Sequence, residues 1–413
     1  MSDHRQPIPR SVLFSRTVVG IVLATFFSDV GHEMATAVLP VYLLHIGLGP
    51  AALGAMEGVA DLLFSMSKLA GGIVGHRLHR KKAVGAFAYA VTAAGVGMMG
   101  LARSASSLVA LRGVAWLGRG FRSPLRDYLL SDAVPATHFG RVYGIERSAD
   151  MLGAVGGPVI AAVLVALSVD LHTVILVSVV PSALAAASFY FLTKEDAAPH
   201  EAHAESPAHR GVMAGLRAIP RGFYVLLGGV FVFGLGDFSR TFLIVLAARD
   251  GAIAPIGFGG VLGFSVGLYA VHNLVSAIVA VPTGALGDRH GKLRVLTVGY
   301  AIGIATNATL AFAAPGTASL LVAIFLSATT LAVEETLEKA ATAELLPRDL
   351  RSLGLGILAA ANALGDMLSS LFVGYELEHG SRTIAFGVPA ALSMIGTAWI
   401  AVVARRQGYA RPA

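Results

Sequence analysis

The sequence contains no cysteine, which excludes disulfides and thiolate chemistry and leaves the redox compartment open. Charge is scarce as well: 14% of the 413 residues are Asp, Glu, Lys or Arg, against roughly 25% in ordinary soluble domains. There is no Gly-x-x-x-x-Gly-Lys-Ser/Thr loop to hold a nucleotide, so ATP is not expected to drive the protein. Neither a His-Glu-x-x-His helix nor any other set of nucleophile, base and orienter stands out, so no enzyme and no cofactor is expected. Nothing before the first apolar run has the form of a cleaved signal peptide.

What the chain has is apolar length. Hydrophobic residues make up 55% of it and mean hydropathy is +0.72. One aqueous core cannot hide that much apolar surface, so the bilayer must solvate it. Twelve runs of about 20 residues, each enough to cross a bilayer, are expected at 17–43, 52–75, 83–102, 106–131, 141–168, 172–192, 223–247, 259–283, 293–313, 317–343, 353–375 and 383–404. The net charge of +6 would suggest a nucleic-acid partner in a soluble protein. Here the basic residues sit in short loops between apolar runs, which is the orientation signal of a membrane protein. No nucleic acid is expected.

The chain also repeats itself. The segment from Gly71 to Lys82 returns 212 residues later as Thr283 to Arg294, and Pro135/Pro347, Gly144/Gly356 and Gly153/Gly365 keep the same shift. A repeat of half the length predicts an all-α membrane protein of two six-helix bundles, 1–192 and 222–413, joined by a polar linker, 193–221. That linker contains His200, His203 and His209, which leaves a His-rich metal sensor as the alternative to a flexible connection. Arg5, Arg10 and Arg16, the loop with Arg77, Arg80, Lys81 and Lys82, the loop with Arg289, Lys292 and Arg294, and the tail with Arg405, Arg406 and Arg411 all fall on one side. Both termini are therefore expected in the cytoplasm of a bacterial-type inner membrane.

Gly284-Ala285-Leu286-Gly287-Asp288-Arg289-His290-Gly291-Lys292 closely resembles the loop motif of the major facilitator superfamily, and the layout resembles that family along nearly the whole chain. The resemblance implies a monomeric transporter of a small-molecule substrate, with Gly72, Arg77, Gly284, Asp288 and Arg289 latching the cytoplasmic side. The first copy departs from the motif, with His76 where Asp is expected and His79 where the second Gly is. In helix five, Gly144, Gly153, Gly157 and Pro158 resemble the family's antiporter motif, although Ala161-Ala162 replace its final Gly-Gly. That similarity implies export.

Ionisable residues inside membrane helices cost roughly 2.5–3.5 kcal/mol at the centre, so they must face the bundle interior. On helix one, Asp29, His32 and Glu33 share a face; Asp237 and Arg240 stand on its counterpart, helix seven. Arg112, Arg119, Arg122 and Arg126 form a stripe down helix four. By the 212 shift, Arg122 matches Glu334 and Arg126 matches Glu338, so a positive wall is expected to oppose a negative one. The rival reading holds Arg122 and Arg126 in ion pairs with Glu146 and Asp150. Glu57, Asp61 and Lys68 on helix two form either a salt-bridged seam or part of the cavity lining, and His272 and Asn273 on helix eight complete the set. The leading expectation is proton-coupled efflux of a small organic solute, with Asp29, Asp237 or Glu334 carrying the proton. A proton symporter, or a divalent metal transporter using Asp, His and Glu ligands, stands as the alternative.

Overall fold

The computed structural model describes residues 12–45, 50–78, 80–195, 212–239, 242–243, 246 and 260–409. Helices make up the first half as α1 (Arg16–His45), α2 (Pro50–Arg77), α3 (Lys81–Met98), α4 (Ala105–Asp132), α5 (Phe139–Ala166), α6 (Leu171–Val177) and α7 (Val179–Leu192). After α8 (Val212–Ala218), the second half runs through α9 (Arg221–Gly234), α10 (Gly260–His290), α11 (Lys292–Phe312), α12 (Thr317–Leu345), α13 (Arg351–His379) and α14 (Arg382–Tyr409). No strand occurs among the described residues.

Local chemistry sets the boundaries. Ser104 opens α4 through a capping box with Ser107, and Asp170 caps α6 by accepting from the Thr173 amide at 3.0 Å. Gly291 separates α10 from α11 with φ of 96°, a conformation that favours glycine.

One expected span is corrected and one carries a local irregularity. The sixth is present as expected, as one span over Leu171–Leu192, with a one-residue irregularity at Ser178 between α6 and α7, where Pro181 has no N–H to donate back to Val177. The seventh leaves the helix at Gly234; the Asn307 amide then donates to the Gly236 carbonyl at 2.8 Å and holds the chain non-helical into Asp237. Within the expected linker, Val212–Ala218 form α8, which meets α9 at 91°. Its His200, His203 and His209 lie outside the described residues.

Nine helical spans among the described residues are long and apolar enough to cross a membrane, and ten if α8 and α9 count as one. Twelve were expected. The two that fall short in apolarity are α2 and α4, the latter because of its four arginines. They shield each other instead: a Cβ on Gly120 of α4 would lie 2.5 Å from the Phe64 carbonyl of α2, so the two backbones touch.

The repeat reappears as two matching seams between the halves. On the α5–α10 seam, a Cβ added to Gly144 would lie 2.5 Å from the Ala280 carbonyl. On the α2–α13 seam its mate Gly356 meets the Lys68 carbonyl at 3.1 Å. Likewise Gly284 lies against the Gly140 carbonyl, and its mate Gly72 against that of Ser352. Every one of these contacts lies toward the end of the bundle that bears the two basic loops, here the motif end, and closes it.

Candidate functional site

Beyond the closed end lies a cavity of about 1050 Å³ lined by both halves. The first half contributes Lys68 from α2, Arg119, Arg122, Arg126 and Asp127 from α4, and Arg147 and Asp150 from α5. Asp237 enters from the break after α9, Asn307 from α11, Glu334, Glu335, Glu338 and Lys339 from α12, and Asn362 and Asp366 from α13. Cations dominate the first wall and carboxylates the second.

Most of these charges are neutralised locally. Arg126 bonds Glu146 at 2.8 Å and Asp127 at 2.9 Å, and Arg147 bonds Asp150 at 2.7 Å. Arg119 is paired with Asp29. Lys339 bridges Glu335 at 3.1 Å and Asp127 at 3.8 Å, tying the two halves together across the floor of the cavity. Glu338 is held by the Tyr300 hydroxyl and by the Asn362 amide, the latter at 2.6 Å.

Arg122 differs. It is 2% exposed, its guanidinium lies 3.7 Å from the centroid of the Tyr89 ring, and Nη2 donates to the Ser28 hydroxyl at 2.5 Å. The ring face supplies a cation–π attraction of about 2 kcal/mol in a desolvated site. Among the described residues no carboxylate is paired with it, and its Nε and Nη1 are buried without acceptors. On the opposite wall Glu334 is 6% exposed, has no cation paired with it among the described residues, and keeps Oε2 without a donor.

The remaining sequence candidates fall as follows. Asp29, His32 and Glu33 sit on α1 behind the wall rather than among the lining residues: Asp29 holds Arg119, and the His32 ring stands edge-on to Trp116 at 4.8 Å. Asp237 lines the cavity, with Oδ1 accepting from the Phe238 amide at 3.1 Å. Arg240 and the side chains of Glu57 and Asp61 lie outside the described residues. His272 shares a hydrogen bond with Ser327 at 3.2 Å. Among the described residues no three His, Asp or Glu side chains gather as metal ligands.

Gly263-Phe264-Ser265-Val266-Gly267 has the spacing of a hydrolase nucleophile elbow, but it lies within α10 and not at a strand-to-helix turn. Gly153 and Gly157 of the helix-five motif let α5 press on α1, where added Cβ atoms would lie 2.5 Å from the Phe26 carbonyl and 2.6 Å from that of Val30. Pro158 follows within the same helix.

At the motif end, Asp288 accepts from the Gly140 and Arg141 amides at 2.8 and 2.9 Å. A carboxylate thus sits on the positive end of α5. Lys292 links it to Glu344, 2.9 Å away. The first copy replaces this device: His76 Nδ1 donates to the Asp349 carbonyl at 2.9 Å, because an imidazole N–H can reach a carbonyl where a carboxylate cannot. Gly72 and Gly284 are buried in the seams, whereas Arg77 and Arg289 are exposed.

Sequence reasoning missed Asp127, Arg147, Glu335, Lys339, Asn307, Asn362 and Asp366 as cavity residues. Asp127, Arg147, Glu335, Lys339 and Asp366 carried the available signal, as ionisable residues inside expected spans.

The Major Facilitator Superfamily model matches residues 21–271 and 253–412. An uncharacterized MFS-type transporter of Methanocaldococcus jannaschii is 24% identical over 367 residues, covering 87% of this chain and 88% of the relative. Among solved structures, the human organic anion transporter MFSD10 aligns with a TM-score of 0.72 at 14% identity, over 93% of this chain and 99% of that one. The E. coli fucose:proton symporter FucP aligns with a TM-score of 0.72 at 16% identity, over 94% and 98%. The match spans both halves, the motif loop and the cavity between them, and the chain belongs to the major facilitator superfamily of membrane transporters.

Proposed function

We propose that the protein exports a small organic solute in exchange for protons, by alternating access of the cavity to the two sides of a bacterial-type inner membrane. In this reading it works as a monomer with both termini in the cytoplasm, and the closed motif end faces the cytoplasm. The observation that carries the proposal is the cavity itself: it is closed at one end and lined from both halves by ionisable side chains, among them Glu334, which has no paired cation among the described residues. Glu334 is the carboxylate to which this reading gives the proton. It stands in the cavity wall with no cation paired to it, so an arriving proton and an arriving substrate cation compete for the same charge. Asp29 is already committed to Arg119. The arginines of the first wall disfavour a bare divalent cation as cargo.

A second reading, import of solute together with a proton, is favoured by the fold likeness to a fucose:proton symporter. One experiment separates the two. A deletion strain screened against toxic compounds supplies the probe, the compound to which it becomes most sensitive. Proteoliposomes with an internal pH indicator then report proton movement when that compound is supplied on one side. Exchange predicts protons moving against the compound, and Glu334→Gln abolishes the movement. Protons moving with the compound establish the symport reading. Compound movement with no proton flux in the unmutated protein overturns both.

A further inference from the structure

The unspent hydrogen-bonding atoms of the cavity wall divide by chemical kind between the two halves. In the first half they are donors: Arg119 Nη1, Arg122 Nε and Nη1, and Arg147 Nε. In the second half they are acceptors: Asn307 Oδ1, Glu334 Oε2, Asn362 Oδ1 and Asp366 Oδ1. The amide orientations are fixed by their partners, since each Nδ2 faces an oxygen that can only accept: the Gly236 carbonyl for Asn307 and the Glu338 carboxylate for Asn362.

Net charge follows the same division. Arg119, Arg126 and Arg147 have counter-carboxylates in their own half, which leaves Arg122, among the described arginines of the cavity wall, without a paired carboxylate; Lys68 on the same wall lies over the Phe64 ring, 4.1 Å from its centroid. Glu334 and Asp366 have no cation paired with them among the described residues. Arg122 and Glu334 are also 212 residues apart, the repeat shift, so they occupy equivalent places on α4 and α12 and face the cavity from either side of the pseudo-twofold axis.

We infer that the cavity takes an organic zwitterion in one orientation, its anionic group toward Arg122 and its cationic group toward Glu334 and Asp366. The inference rests on the transporter reading and names its substrate class. A purely anionic solute would satisfy Arg122 but leave two carboxylates desolvated and repelled; a purely cationic one would do the reverse to the arginines. Only a molecule carrying both charges compensates Arg122 and the two carboxylates together. Tyr89 and Ser28 hold the guanidinium of Arg122 in place before the solute arrives, so little order is lost on binding.

The test uses the purified full-length protein and matched triplets of probes. Each triplet holds an ω-amino acid, its methyl ester, which keeps only the cation, and its N-acetyl derivative, which keeps only the anion. The series runs from glycine to aminocaproate and includes aminomethylbenzoate, so that the charge separation is scanned. Binding is read by titration calorimetry without a proton gradient. At the fitting separation the zwitterion binds about tenfold or more tighter than both derivatives. Arg122→Gln removes its advantage over the ester, and Glu334→Gln its advantage over the N-acetyl form. The inference is overturned if either derivative matches the zwitterion in every triplet, or if no zwitterion binds. The comparison in the unmutated protein stands alone should a variant fail to fold. Zwitterion binding without proton flux in proteoliposomes would sink the exchange reading and leave this one standing; proton-coupled transport of a singly charged compound would do the opposite.

Discussion

Arg122 and Arg126 are one helical turn apart on α4, and their surroundings give them opposite tasks. Arg126 is consumed by Glu146 and Asp127, whereas Arg122 rests on an aromatic ring and a serine with hydrogens to spare. A buried pair that loses one partner costs about 3–5 kcal/mol, because the other charge is left desolvated. Arg126→Gln and Glu146→Gln should each destabilise by about that amount in unfolding measurements, while the double variant should cost clearly less than their sum. Strict additivity would mean the pair is not coupled. Spacing and the repeat placed both arginines and both glutamates on facing helices of the two halves. They could not say which charge meets which, because pairing depends on rotamers and on neighbours such as Tyr89 and Ser28 that lie far away in sequence.

At the scale of elements, the apolar runs were legible because bilayer thickness sets their length and glycine and proline punctuate them. The break after α9 was not: Gly234 and Gly236 permit it, as glycines do in many helices that stay intact, but it is Asn307 from another helix, taking the Gly236 carbonyl, that selects this place. Helix contact is likewise carried by single glycines. Gly284 lies so close to the Gly140 carbonyl that any Cβ must force α5 and α10 apart. Such overpacking typically costs 1–3 kcal/mol, and here the cost falls on the arrangement with the motif end closed. Gly284→Ala should therefore shift the population toward an open motif end by about tenfold. A cysteine at Ser352, 1% exposed at that end, reports the shift through its rate of maleimide labelling, with no background because the chain has no cysteine. An unchanged labelling rate would show that the seam does not control closure.

The molecule as a whole is two copies of one half meeting along two seams, and its departures from symmetry lie where charge is concerned. Arg122 faces Glu334, and Asp288 on the amides of α5 answers to His76 on a carbonyl beside α13. The seams are the parts that must separate if the cavity is to open to the other side, and one position allows this to be tested directly. A Cβ placed on Gly75 of α2 would lie 3.5 Å from the Ser352 Cβ of α13, within the span of a disulfide, whose Cβ atoms are about 3.8 Å apart. The Leu125 methyl beside Gly75 must swing aside to admit the new Cβ, which a flexible side-chain end can do. The double variant Gly75→Cys, Ser352→Cys should cross-link on mild oxidation and hold the motif end shut. Solute exchange by proteoliposomes should then fall to background and recover on adding a reductant, while binding from the open side persists. Full transport by a quantitatively cross-linked protein would show that α2 and α13 stay together throughout the cycle. Passage would then have to run through the α5–α10 seam alone, against the equivalence that the repeat builds into the fold.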